Sequence, residues 1–277
     1  MIDLHMHTTA SDGRSTPQEL VREAAAAGCR TIAVTDHDTV ASVPAVSAAA
    51  RLAGLGFVPG IEMTAVDRAR DIHILGYFID TDDTEFDVFL VEQRALRRAR
   101  VTAMAEQLGA LGVPVDLDDV VAAAALSGRA IGRPAVAAAL VAAGHARDVQ
   151  DAFDRYLTEG RPGYVPRTGA SPVAIVQWIR RVGGFASIAH PGKYGRDDLI
   201  PQLAEAGMAA IEVFHPDHPE SDVERYRALA GTLGLAMTGG SDYHGPGTAR
   251  AAALGRIGLA DDLFHALMSR ATGSSPA

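Results

Sequence analysis

Short apolar runs alternate with longer stretches of helical period in the first part of the chain. Ile2–His5, Thr31–Thr35, Phe57–Ile61 and Ile72–Phe78 are dense in branched and aromatic residues and read as strands. Pro17–Ala27 and Val40–Gly54 carry their apolar residues at helical spacing, with Thr16 placed as an N-cap and Pro17 in the first turn. Strands that alternate with helices predict parallel pairing in an α/β fold.

From Thr84 to Leu157 the pattern is helical throughout. Phe86, Phe89, Leu90, Leu96, Val101, Met104 and Leu108 recur at the spacing of one helix face, followed by helices over Asp118–Leu126, Pro134–Ala143 and Asp148–Leu157. The alternation resumes after Ser171, with strands at Phe185–Ala189, Ala209–Phe214 and Ala236–Gly239 and a last strand–helix unit reaching Arg270. About seven βα units around one sheet predict a closed or nearly closed barrel, whose chemistry collects at the C-terminal strand ends. The expected division is a first barrel part over 1–83, a helical insertion covering the site over 84–168, a second barrel part over 169–270 and a disordered tail over 271–277.

The polar residues that interrupt these strands carry the chemistry. His5 and His7 flank Met6 at the end of the first strand, so both imidazoles point to one side. Asp12 follows in the next loop. The second strand ends in Thr35-Asp36-His37-Asp38-Thr39, an imidazole between two carboxylates, which suggests a metal ligand with supporting acids or a cap for the next helix. Glu62 ends the third strand, His73 lies inside the apolar fourth, His190 follows the fifth, and Asp242 and His244 follow the last run. A histidine between isoleucines is costly to bury without a partner. Each residue alone has a bland explanation, but nine of them falling in or just after strands point to one metal centre. Imidazole and carboxylate donors without thiolate suit Mn, with Zn and Fe the other candidates, better than Mg or Ca. Nine ligands exceed the needs of one ion, so two or three divalent ions are expected. Two ions about 3.5–4 Å apart would share a hydroxide and clamp an in-line displacement.

Composition narrows the class. A formal charge of −9 argues against a broad nucleic-acid-binding surface and leaves room for a small anionic substrate. No run is long and apolar enough to span a membrane, the N-terminus is polar, and Cys29 is the single cysteine, so a cytoplasmic protein is expected. Of the 25 Lys and Arg residues only Lys193 is a lysine, three positions after His190. That placement suggests a task a guanidinium would do badly. Arg133, at the start of a helix marked by Pro134, is a candidate phosphate contact. Arg94, Arg97, Arg98 and Arg100 on the long helix read chiefly as a solvated face.

The series His5-x-His7, Asp12, His37, Glu62, His73, His190, Asp242-x-His244 resembles the polymerase and histidinol phosphatase (PHP) superfamily over nearly the whole chain, and within it the nucleotide-phosphatase branch. The resemblance implies a distorted seven-stranded (βα) barrel with a helical insertion. The implied activity is hydrolysis of nucleotide phosphate monoesters, above all nucleoside 3′,5′-bisphosphates, with 5′→3′ cleavage of short oligonucleotides as a second activity. It allots His5, His7, Glu62 and Asp242 to one ion, Glu62, His73 and His190 to a second, and Asp12, His37 and His244 to a third. Asp12, Glu62 and Asp242 would then position the attacking hydroxide. Lys193, Arg133, Arg161, Tyr164 and His218 fall where the branch binds substrate, whereas Ala135 stands where the branch carries a histidine. A histidinol-phosphatase-like enzyme, an amidohydrolase acting on C–N bonds and a non-catalytic metal-binding domain are the alternatives. The amidohydrolase class commonly bridges its metals with a lysine, and the one lysine here comes after His190.

Overall fold

A computed structural model describes residues 1–271. The expected tail, the backbone of Ala271 apart, lies outside them. The strands β1 (Ile2–Asp3), β2 (Thr31–Val34), β3 (Gly56–Asp67), β4 (Arg70–Tyr77), β5 (Phe185–Ile188), β6 (Ala210–Phe214) and β7 (Ala236–Gly239) pair in sequence order in one seven-stranded sheet. The sheet curls until its ends meet. The Leu4 N–H donates to the Gly239 carbonyl at 3.2 Å, the His7 N–H to the Tyr243 carbonyl at 2.8 Å, and Met6 bridges Tyr243 in parallel register. Gly240 permits this closure, because a Cβ there would stand 2.4 Å from the His5 backbone nitrogen. The result is the nearly closed barrel the alternation predicted.

Uniform parallel pairing does not hold. β3 runs on past Glu62 to Asp67 and returns as β4, antiparallel to β3 and to β5, from Gly60 opposite Tyr77 to Asp67 opposite Arg70. Arg68 and Ala69 make the turn at φ 48° and 65°, left-handed conformations for which neither residue is a usual choice. Glu62 therefore lies mid-strand, and His73 lies in the first half of its strand. The last strand predicted before Arg270 is also absent; Leu259 makes a single antiparallel bridge to Ile2 before the final helix, Asp261–Ala271.

The helices follow their expected caps where the chain supplies them. The first, α1 (Pro17–Ala26), opens on a capping box in which Thr16 accepts from the Glu19 N–H and Glu19 accepts from the Thr16 N–H. The second, α2 (Val43–Ala53), begins after Ser42, so neither Asp38 nor Thr39 caps it. Between β4 and β5 come α3 (Thr84–Ala110), α4 (Asp118–Ser127), α5 (Arg133–Ala142) and α6 (Val149–Ala152), which continues as a π-helical turn over Phe153–Leu157. These helices share an apolar core of their own, built on Val101, Met104, Leu108, Leu117, Ile131, Val136, Leu140 and Leu157. Leu96, placed by its spacing on the inner face, is exposed. Cys29 is a buried free thiol packed with Leu20, Val21 and Val46. Among the described residues no helix is long and apolar enough to cross a membrane.

Candidate functional site

Strand geometry brings the first two imidazoles together. Met6 is fully buried in the outer core while His5 and His7 face the barrel interior, as alternation requires. The next strand delivers His37 beside Glu62: the two form a parallel bridge, with the Glu62 N–H donating to the Asp36 carbonyl and the Asp38 N–H to that of Glu62.

Glu62 is the centre of the arrangement. Its Oε2 lies 3.2 Å from the Nε2 atoms of both His5 and His7 and 3.3 Å from His37 Nδ1. Its Oε1 lies 2.7 Å from His73 Nδ1 and 3.1 Å from His190 Nε2. Asp242 Oδ1 stands 3.4 Å from His5 Nε2, 3.3 Å from His7 Nε2 and 3.6 Å from His244 Nδ1. Asp12 reaches His244 Nε2 at 3.2 Å and both His7 and His37 at 3.8 Å. All nine residues singled out in the sequence thus surround one buried pocket.

Donor atoms close enough to share an ion fall into three sets: His5, His7, Glu62 and Asp242; His7, Asp12, His37 and His244; and His37, Glu62 and His73. The first is the set implied by the family resemblance. In the others His7 joins Asp12, His37 stands between two sets, and His190 touches Glu62 without entering the tight group.

Electrostatics show how strongly this pocket calls for cations. Burial alone would raise the Glu62 carboxyl, yet the imidazoles of His37, His73 and His5 hold it well below the usual carboxylate range. Asp242 is likewise held low against its burial by His5 and His244, and Asp12 by His244 and His37. His7 is pushed up to about 10: burial opposes protonation, and contacts with Asp242 and Glu62 overcome it. Burial wins at His37, pulled down to about 3, and at His190, where Lys193 adds to the effect. Several buried polar atoms here lack a hydrogen-bond partner among the described residues: both His7 ring nitrogens, Asp12 Oδ1 and His37 Nδ1. Orphaned buried donors and acceptors are costly. Coordinated divalent cations would satisfy them, so the residues fit the metals their types suggest.

A further set of residues holds the cluster in shape, and the sequence reading passed over it. Glu212, fully buried on β6, accepts from His5 Nδ1–H at 2.8 Å and from the His190 N–H at 2.7 Å. This bond leaves His5 Nε2 as the nitrogen that faces Glu62 and Asp242 and would ligate an ion once its proton is lost, the usual support for a ligating histidine. A register shift between Glu212 and Phe214 re-aims the strand there. A carboxylate inside Ala210-Ile211-Glu212-Val213-Phe214 was a visible signal, of the same kind as His73. Tyr194 accepts from the His73 N–H at 3.0 Å and lies 2.9 Å from His190 Nδ1. His190 and Asp242 adopt φ of 29° and 52°, strained values that place their side chains over the pocket.

Asp36 and Asp38 play other parts than supporting the His37 ring. Asp36 accepts from Thr8 and Ser11 and pins the loop after β1. Asp38, at φ 47°, accepts from Arg97, from Arg167 at 3.1 Å and from the Thr64 N–H at 2.9 Å. The solvated-face reading of the long helix is corrected accordingly. Arg94 and Arg97 are buried against Asp38, and Arg100 pairs with Asp71 at 3.2 Å.

The substrate candidates divide. A cavity of about 420 Å³ beside His73 and His190 is lined by Arg70, Arg133, Tyr164, Lys193, Tyr194 and Arg196. Arg133 is 3.2 Å from Asp71, and Lys193 is 3.2 Å from Asp217 and 3.6 Å from Asp242. Arg161 is exposed and outside this lining; its carbonyl accepts from the Tyr164 N–H in the turn that presents Tyr164. His218 lies behind the cavity wall. Its Nε2 accepts from the Gly192 N–H at 3.2 Å and its Nδ1–H donates to the Val213 carbonyl at 2.9 Å, so both nitrogens are used to brace the His190–Lys193 turn. His215 is similarly engaged: the Asp217 N–H donates to Nδ1, which leaves Nε2–H to donate to Asp242 at 3.3 Å.

Residues 3–159 match the PHP domain model. The chain belongs to the PHP domain family. It is 36% identical over 89% of its length, and 88% of the relative's, to a 3′,5′-nucleoside bisphosphate phosphatase of Chromobacterium violaceum. It is 36% identical to the 5′-3′ exoribonuclease Rnm of Escherichia coli, over 88% of this chain and 85% of that one. In shape this PHP chain is similar to a protein from Bifidobacterium adolescentis described as a metal-dependent phosphoesterase: 33% identity, TM-score 0.87, with 97% of this chain and 95% of that one covered. It is also similar to a Chromobacterium violaceum structure described as an amidohydrolase, solved with bound sulfate and no metal: 32% identity, TM-score 0.84, with 97% and 96% covered.

Proposed function

We propose that this PHP chain, a metal-dependent hydrolase of phosphoric ester bonds, removes the 3′-phosphate of nucleoside 3′,5′-bisphosphates. The observation that carries the reading is the cavity opening onto His73 and His190, where four cations, Arg70, Arg133, Lys193 and Arg196, outnumber two carboxylates, Asp71 and Glu159. It supplies two separated cationic groups, one beside the cluster at Lys193 and one on α5 at Arg133, and aromatic walls from Tyr164 and Tyr194 for a nucleoside between them. The bisphosphate phosphatase and exoribonuclease relatives support a nucleotide substrate. We assign residues 84–168 as the substrate cover of a barrel built from 1–83 and 169–270, and place the enzyme in the cytoplasm.

His5, His7, Asp12, His37, Glu62, His73, His190, Asp242 and His244 would hold two or three divalent ions, and their nitrogen and oxygen donors favour manganese. Such ions supply Lewis acidity at a phosphoryl oxygen and acidify water to near-neutral pKa. The chain does the rest. Glu212 and Tyr194 fix the orientation of His5 and His190, Lys193 sits where a phosphate at Asp242 would meet it, and Arg133 grips the remote phosphate. α5 adds backbone N–H groups there, since its cap residue Gly132 offers no side chain to satisfy them.

The neighbour described as an amidohydrolase favours a second reading, hydrolysis of C–N bonds. The residue that would bridge two ions here is the carboxylate Glu62, with the single lysine at the rim, and the neighbour's sulfate is a phosphate analogue. The deciding experiment incubates the Mn²⁺-loaded protein with adenosine 3′,5′-bisphosphate, histidinol phosphate and an N-acyl amino acid. Release of phosphate and 5′-AMP from the first is expected. Preference for either of the others would overturn the reading.

Loading the metal should also expel protons. His5 and His7 are raised by their carboxylates against the effect of burial, His7 to about 10, so His7 is an imidazolium at pH 7.5 in the metal-free protein. A ligating nitrogen must be neutral, so one to two protons should be released per chain. Calorimetric titration with Mn²⁺ in two buffers of different ionisation enthalpy counts them; no net release would contradict the assignment.

A further inference from the structure

Three loops meet over Asp242 and build a ring of alternating charge. The strands β5, β6 and β7 are parallel neighbours, so their C-terminal ends lie side by side. The loop after β5 brings Lys193, the loop after β6 brings Asp217, and the loop after β7 brings Asp242 and, further on, Arg250. Lys193 Nζ lies 3.2 Å from Asp217 Oδ2 and 3.6 Å from Asp242 Oδ2. Arg250 donates to both oxygens of Asp217, and its Nε stands 3.3 Å from Asp242 Oδ2. Each carboxylate therefore faces both cations.

The two carboxylates are not equivalent. Asp242 turns Oδ1 to His5 and His7 and Oδ2 to the ring, where His215 Nε2 joins the cations at 3.3 Å. Asp217 pairs with none of the nine cluster residues among the described residues and serves the two cations. Burial would raise its carboxyl, but Arg250 and Lys193 hold it at about 2. One free carboxylate thus balances two cations, which leaves a positive charge beside Asp242. The fork on Asp217 and the edge on Asp242 take three of the five N–H groups of Arg250, so two remain for an incoming oxygen. Its side chain is 20% exposed, within reach of a ligand. The ring also gives the single lysine a task. Its compact ammonium fits between two carboxylate oxygens where the planar fork of Arg250 is already in place.

We propose that Arg250 binds the reacting phosphate together with Lys193, and that Asp217 is a positioning residue that holds the two cations ready for it. A phosphate beside Asp242 meets Lys193 from the cavity of Arg133 and Tyr164, and Arg250 from the other side, where Asp12 and His244 line a second cavity. Long cationic side chains lose rotamer freedom when they close on a ligand, and the ring removes that cost in advance. Charge spreads over the equatorial oxygens of a phosphoryl group in flight, and two cations already fixed beside it need no reorganisation. The inference rests on reading the cluster as the place where a phosphoester is hydrolysed, and it needs no particular nucleotide.

The test reads equilibrium binding of inorganic phosphate and orthovanadate to the Mn²⁺-loaded protein, beside turnover and Mn²⁺ affinity. Arg250→Ala should weaken both anions by about tenfold or more. It should lower kcat/KM by about 10–100-fold on p-nitrophenyl phosphate and on adenosine 3′,5′-bisphosphate alike, with Mn²⁺ affinity unchanged. Arg250→Lys keeps the charge without the fork and should recover part of the loss. Asp217→Asn should also weaken phosphate binding, but should weaken it no further in a Lys193→Ala/Arg250→Ala background, because the carboxylate acts only through those cations. A fall in Mn²⁺ affinity for Arg250→Ala, with phosphate binding intact at saturating metal, would show that Arg250 merely orients Asp242 and would overturn its assignment. Tighter phosphate binding in Asp217→Asn would reveal a carboxylate that competes with the ligand and would end its positioning role. A parent protein that binds neither anion and hydrolyses neither ester would remove the reading of the site itself, and this inference with it.

Discussion

Glu62→Gln is expected to lower kcat by at least about 10³-fold while leaving the far-ultraviolet circular dichroism spectrum unchanged. Preorganised charge at a reacting centre is worth that much when a single neutral donor is removed, and here a full charge at the meeting point of five imidazoles is lost. Glutamine matches the shape of the side chain but can neither offset two cations nor offer two equivalent oxygens. Elemental analysis should show metal content reduced in parallel with turnover. Near-normal occupancy with a near-normal rate would remove Glu62 from the bridge.

The second large effect concerns substrate. Arg133→Ala and Lys193→Ala should each reduce kcat/KM for adenosine 3′,5′-bisphosphate by about 10–100-fold, the worth of one charge-assisted contact of about 1.5–3 kcal/mol. Metal content should be retained in both. The variants should differ on p-nitrophenyl phosphate, which has no second phosphate. Lys193 stands 3.6 Å from Asp242, beside the reacting group in the proposed reading, so its loss should be felt on both substrates. Arg133 lies across the cavity beside Asp71, and its loss should spare the aryl phosphate. Equal losses for Arg133→Ala on the two substrates would show that it acts at the scissile phosphate or on folding.

The parts of the site legible in the sequence are those whose local pattern conflicts with burial. His5 and His7 around Met6, and His73 between isoleucines, are polar groups where strand period puts the core, and only a shared partner resolves the conflict. Glu212 carries the same signal within its strand, an ionisable group between apolar neighbours. The hairpin of β3 and β4 was hidden for a different reason. Its turn uses Arg68 and Ala69 at positive φ, where the usual markers would be Asn or Gly, so two antiparallel strands read as successive parallel ones. The buried arginines of α3 were hidden by distance. Arg97 and Arg167 meet at Asp38 from positions remote in the chain, and only the folded structure shows that they share one carboxylate.

The central claim is that Glu62 and the eight residues around it hold divalent ions. Anomalous diffraction from crystals grown with Mn²⁺ tests it directly. Two or three peaks are predicted within about 2.0–2.3 Å of donor atoms, with Glu62 between two of them and His5, His7 and Asp242 around one. Peaks elsewhere on the protein, with the Glu62 pocket holding only water, would contradict it.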